Sequence, residues 1–244
     1  MAVKTLKILA AMLVGTLMMG PSTPRFAAAE AEEGWDEEAG SRADPLVSFN
    51  EKMFWFNLRL DDYVLRPAAI AYDKVIPDAG KRGVDRFFKN LGIVERLANN
   101  LFQRKFRGAG AELGRFTLNT TLGVAGFLDV ADRWFGLKES NEDFGQTLGT
   151  YGVEQGAYLV LPFWGPSTVR DAFGLAVDSA MNPMNYLLST TEVLAARGGI
   201  VTGRAVNYRS LNLELFADVD RYAVDLYGAV QDVYMQRREK EVVE

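Results

Sequence analysis

The chain has 244 residues, a net charge of −5, no His and no Cys. That excludes nucleophilic machinery built on an imidazole base or a thiolate, zinc sites made from His and Cys, and disulfides, while carboxylate chemistry and oxygen-ligand metal sites stay open. Hydrophobic residues make up 48% and charged residues 24%, the balance of a globular chain able to bury a core. The acid excess is local. Apart from Glu30, Glu32, Glu33, Asp36, Glu37 and Glu38, and the early bases Lys4, Lys7 and Arg25, the chain has 26 acids against 24 bases, which argues against nucleic-acid binding.

Residues 1–31 read as a secretory signal peptide for Sec-type export. Lys4 and Lys7 form a charged start, Ile8 to Met19 an apolar run too short to span a bilayer, and Ala27-Ala28-Ala29 and Ala29-Glu30-Ala31 offer small residues for cleavage. A bacterial lipoprotein carries its acyl anchor on a Cys directly after such a run. Here Leu17-Met18-Met19-Gly20 leads to Pro21, so the mature protein is expected not to be lipidated. Residues 32–43, acidic and poor in apolar groups, read as a solvated linker.

The rest reads as one domain, 44–238, of helical patterns punctuated by Gly and Pro, followed by a solvated tail at 239–244. Asp44-Pro45 is a helix start. Phe49, Met53, Phe56, Leu60 and Val64 then recur at helical spacing, and the helix is expected to end before Arg66-Pro67. Met53-Phe54-Trp55-Phe56 leaves one turn with no polar face, so that turn is either buried on all sides or faces lipid. Val84, Phe87, Phe88 and Leu91 form the next stripe, with Gly92 suited to a left-handed end. Val94, Leu97, Ala98 and Leu101 form another, and Leu113, Phe116, Thr117 and Thr120 a fourth that ends near Gly123. These short amphipathic helices, edged with Arg and Lys, fit a membrane interface or an ordinary surface over a core.

From Gly145 to Pro166 the glycines and aromatics predict a loop-rich hairpin with Tyr158-Leu159-Val160-Leu161 as a short strand. Thr168 and Asp171 fit a capping box at the next helix start, and Pro183 breaks the helical pattern beyond it. The longest helical pattern, Leu215, Val219, Tyr222, Leu226, Val230 and Val233, leads to Arg237-Arg238.

Taken in order, several segments resemble the MlaA/VacJ family. They are Asp44-Pro45-Leu46 with Phe49-Asn50-Glu51; Tyr63-Val64-Leu65-Arg66-Pro67; Gly114-Arg115-Phe116 through Asp129-Val130-Ala131; Glu142-Asp143-Phe144-Gly145-Gln146-Thr147-Leu148-Gly149, running on to Gly165-Pro166-Ser167-Thr168-Val169-Arg170-Asp171; and Tyr234-Met235-Gln236-Arg237-Arg238. The resemblance implies an all-α, ring-shaped domain around an amphipathic channel in the periplasmic leaflet of the outer membrane. It would translocate misplaced phospholipid to a soluble periplasmic carrier, in company with a trimeric porin and with no cofactor or enzymatic step. It further implies that Phe49 and Asn50 border the channel and that Gly149, Gly152 and Gly156 mark a mobile hairpin. Arg115 and Arg170 either contact lipid phosphate or pair with Asp129 and Asp171. Two readings compete with this one: a periplasmic or envelope structural protein that only binds porin, and an enzyme of the soluble periplasm that acts on glycan with paired carboxylates. For the enzyme, Glu142 and Asp143 are adjacent rather than facing across a cleft.

Overall fold

The computed structural model describes residues 44–183, 192–222 and 225–243; the leader and acidic linker fall outside them. The domain is all-helical with one small hairpin. In order it comprises α1 (Val47–Leu60), a π-helical turn (Asp61–Leu65), α2 (Arg66–Val75), α3 (Asp78–Leu91), α4 (Ile93–Phe102), α5 (Phe106–Thr121), α6 (Val130–Phe135) and α7 (Phe144–Thr150). Strands β1 (Tyr158–Leu161) and β2 (Gly165–Thr168) come next, then α8 (Val169–Met181), α9 (Glu192–Leu211), α10 (Leu213–Tyr222) and α11 (Leu226–Val243). The strands pair antiparallel, from Tyr158 opposite Thr168 to Leu161 opposite Gly165. Among the described residues no helix is long and apolar enough to cross a membrane.

Side-chain caps start several helices. Asp143 accepts from the Gln146 amide at 2.8 Å, Asp129 from Asp132 at 3.2 Å, and Thr168 from Asp171 at 3.2 Å, the last as its capping-box spacing predicts. Five boundaries differ from the sequence reading. The first helix does not stop at Pro67. Arg66 N–H bonds to Asp61 C=O five residues back, and Pro67 enters the next turn with no amide to place. Gly92 joins α3 to α4 in a right-handed conformation, with φ −76°. Residues 144–150 of the expected loop form a helix instead. The pattern from Leu215 to Val233 divides into α10 and α11, preceded by α9, which carries no clear apolar stripe. The chain from 239 to 243 continues α11 rather than forming a tail, its Glu241 bonded to Arg237 at 2.6 Å and to Arg238 at 2.9 Å.

On three helices the structure settles which face is buried, a choice the spacing leaves open. On α1 and the π-turn Phe49, Phe56 and Val64 of the stripe are exposed, Met53 packs against the core and Leu60 is half-buried, while Asn50, Phe54, Asn57 and Asp61 are buried. On α4 the buried positions include Glu95, Arg96, Asn99 and Asn100, with Val94 and Leu101 exposed. On α5 they include Glu112, Arg115 and Asn119, with Leu113 exposed. Amphipathic spacing identifies a helix but not which side faces the interior. Here polar groups take the interior because they satisfy one another there. Among the described residues the main apolar cluster is compact. Phe54, Tyr158, Val160, Val230, Val233 and Tyr234 pack together where α1, β1 and α11 meet.

Candidate functional site

The hairpin is held by side chains rather than by a larger sheet. Asn50 donates to the Tyr158 carbonyl at 3.0 Å and accepts from the Val160 amide at 2.8 Å. Two turns on, Asn57 donates to the Leu161 carbonyl at 2.9 Å and accepts from the Phe163 amide at 2.8 Å. A two-stranded hairpin alone is marginal in water; these four bonds give its free edge the pairing a third strand would supply. Phe163 stands in the left-handed region at φ 69°, a strained setting for an aromatic residue that the bond to Asn57 helps maintain.

The hairpin's other flank is tied to α11. Arg238, buried, bonds both oxygens of Asp143 at 2.7 and 2.9 Å and both of Asp171 at 2.9 Å. Tyr234 donates to Asp171 at 2.8 Å. One guanidinium thus joins the N-cap of α7 to the first turn of α8. Burial alone would raise the Asp171 carboxyl, but the charges and hydrogen bonds of Arg238, with Arg170 and Tyr234, outweigh it and hold the pKa at about 2. Backbones come close here: a Cβ on Gly174 would collide with Gly145.

A second network runs through α4, α5, α7 and α8. Arg96 bonds Glu112 at 2.8 Å and lies 3.4 Å from Glu139. Asn99 donates to Asp178 at 2.8 Å and accepts from Thr147 at 2.9 Å. Asp178 also accepts from the Phe144 amide at 3.0 Å. Beside it lies Glu95, whose Oε1 is buried with no hydrogen-bond partner among the described residues. Burial and then the Asp178 charge push the Glu95 carboxyl to about 7. Burial and then the Asp143 charge push Asp178 to about 6, against the opposing Phe144 N–H bond. On the far side Arg209 grips Asp61 of the π-turn through bonds of 2.9 and 3.0 Å and lies 3.9 Å over the Phe216 ring.

The residues singled out from the sequence do not form one cluster. Phe49 is 45% exposed and its neighbour Asn50 is 0% exposed, so the first faces outward while the second holds the hairpin. Gly149 lies in α7 rather than in the hairpin, packed against Val242 and Arg170. Gly152 and Gly156, at φ 84° and 71°, shape the approach to β1. Arg115 pairs with Asp129 at 3.1 Å and Arg170 with Asp171 at 3.0 Å, the ionic partners considered from the sequence. Arg170 keeps its Nη2 buried without a hydrogen bond among the described residues. Sequence reading missed Asn57, Glu95, Asp178 and Arg209. For Asn57 the signal was its seven-residue spacing from Asn50 on a face shared with Phe54; for the others no local signal exists.

A helical domain that buries ion-paired Arg, Glu and Asp side chains and exposes many large aromatic and aliphatic ones is the class of protein suited to work against lipid. The sequence profile of the MlaA lipoprotein family matches residues 42–241. The chain is similar to the intermembrane phospholipid transport system lipoprotein MlaA of Escherichia coli (strain K12), at 34% identity over 212 residues, 86% of this chain and 81% of that one. It is likewise similar to the protein of that name from Haemophilus influenzae, at 34% over 203 residues, 82% of this chain and 79% of the relative. A solved structure described as the structural basis for maintenance of bacterial outer membrane lipid asymmetry superposes with a TM-score of 0.70 at 33% identity, covering 82% of this chain and all of that one. The chain belongs to the MlaA family.

Proposed function

We propose that this protein transports phospholipid between membranes of the bacterial envelope. Seated in the periplasmic leaflet of the outer membrane, it takes phospholipid misplaced in the outer leaflet and passes it to a soluble periplasmic carrier, with a trimeric porin beside it. No bond is made or broken. The observation that carries the reading is the combination of large exposed apolar side chains with buried ion pairs. Trp55, Phe56, Tyr63, Val64, Phe106, Trp134 and Phe135 are exposed, while Arg96, Glu112, Arg115, Arg209 and Arg238 are buried in ion pairs. A phospholipid needs a polar route for its headgroup and apolar surface for its tails, because a charge left in hydrocarbon is costly. In this reading the helices enclose an amphipathic passage, and the hairpin with its glycine approach governs passage.

The test is deletion of the gene with assay of phospholipid exposed on the cell surface. Deletion is expected to raise it and the native gene to restore it. A Gly152→Pro protein is expected to rescue poorly, because φ 84° is closed to proline. No change on deletion, or release of the mature protein by osmotic shock as a lipid-free monomer, would overturn the reading.

A further inference from the structure

The connection between α5 and α6 has features that a water-facing loop does not need. Residues 116–128 contain no Asp, Glu, Lys or Arg. The charges that bound the stretch, Arg115 and Asp129, neutralise each other across its base at 3.1 Å, both buried. Beyond that bridge Leu122, Val124, Phe127 and Leu128 are all exposed.

Five amides of the turn are bonded within it or to the end of α5. The amides of Gly123, Ala125, Gly126, Phe127 and Leu128 bond to the carbonyls of Leu118, Thr120, Asn119, Val124 and Gly123, at 2.7 to 3.2 Å. Two nearby hydroxyls bond back onto their own helix: Thr117 donates to Leu113 C=O at 2.9 Å and Thr121 to Thr117 C=O at 2.6 Å. Each bond made within the turn lowers the cost of placing non-helical backbone near hydrocarbon. Val124 and Ala125 sit at φ 53° and 56°, a strained conformation that persists where the surroundings over-determine it. Here they do, since a Cβ on Gly123 would strike the Leu128 and Asn119 carbonyls and one on Gly126 the Asn90 side chain. The turn is therefore stiff, uncharged and apolar at its tip.

We propose that the 122–128 turn is a rigid wedge that inserts among acyl chains. The proposal rests on the membrane reading above and adds to it which segment enters the hydrocarbon.

The Cys-free background allows a single label. The full mature protein carrying Val124→Cys, modified with a nitrobenzoxadiazole probe, is mixed with phosphatidylethanolamine–phosphatidylglycerol vesicles that carry nitroxides either in mid-chain or at the headgroup, and flotation is followed on the same samples. Blue-shifted emission is expected, with quenching at least about twofold stronger from mid-chain than from headgroup nitroxide. A protein that floats with the vesicles while its probe stays open to aqueous iodide overturns the wedge and leaves the transport reading standing. A folded protein that does not float overturns both. A second variant, Val124→Asp, tolerates the left-handed backbone better than valine. It is expected to melt within a few degrees of the parent and to lower the vesicle-bound fraction at least about tenfold. Unchanged flotation of this variant also overturns the proposal.

Discussion

Asn50 and Asn57 lie two turns apart on one face of α1, and each amide both donates to and accepts from the backbone of the segment that carries β1. Replacing Asn57 by Leu keeps roughly the same volume but strands the Leu161 carbonyl and the Phe163 amide. A loss of about 2 to 4 kcal/mol is expected in denaturant titration, from two partners left unmet. Hydrogen exchange should show protection lost first at Phe163. Asn57→Asp, which keeps the acceptor, should cost less.

Arg238 holds two carboxylates from different helix starts, so its removal leaves both without their cation. Arg238→Met is expected to destabilise by about 3 to 5 kcal/mol, the cost of breaking a buried pair from one side. Asp171 should then titrate well above about 2, measurable by NMR of its carboxyl carbon. The conservative Arg238→Lys should recover only part of the stability, since a point charge cannot reproduce the forked contact with Asp143 and Asp171.

Two glycines on neighbouring parts of the fold should respond in opposite directions. Gly174 packs backbone to backbone against Gly145, so Gly174→Ala forces α7 and α8 apart and is expected to cost about 2 kcal/mol or more. Gly110 in α5 has nothing within 4 Å of where a Cβ would stand. Gly110→Ala is expected to stabilise by up to about 1 kcal/mol through helix propensity. Thermal melts of the two variants beside the parent check both signs.

Glu95 and Asp178 set a pH dependence. Both carboxyls are raised in the folded protein, to about 7 and about 6, so the folded state holds protons that the unfolded chain has already released. Stability contributed in this way is present at low pH and falls as pH rises from the ordinary carboxylate range toward 7. The melting temperature is therefore expected to drop between about pH 5 and pH 8. Glu95→Gln should flatten that slope, although Asp178, Arg96 and Arg204 still act on the site. Asp171 works in the opposite sense. Its lowered pKa stabilises above the ordinary carboxylate range, and this is lost as pH falls toward about 2, so melts below pH 4 should show a second, acid decline.

Part of the helical order was legible from local punctuation: Thr168 caps α8 by the bond its spacing to Asp171 predicts. Orientation was not legible. Phe49 and Asn50 are adjacent in sequence, and periodicity leaves open which of them faces the interior; the structure buries the amide. The reason lies far along the chain, in carbonyls and amides 108 to 110 residues away. Arg209 and Asp61, 148 residues apart, are likewise partners that no spacing rule can join. The 144–150 helix was hidden because Gly145 and Gly149 read as loop signals, whereas they serve close approach by α8 and α11.

The interior built from Asn99, Thr147, Asp178, Arg96 and Glu112 has a consequence for how this protein can change over generations. An oily core accepts exchanges of one hydrocarbon shape for another with modest loss, because dispersion is indifferent to direction. Directional bonds are not. Lengthening Asn99 to Gln moves its amide by a methylene and misses two partners at once, so drift at such positions must proceed by paired replacements, while the greasy outer surface is free to vary as long as it stays greasy.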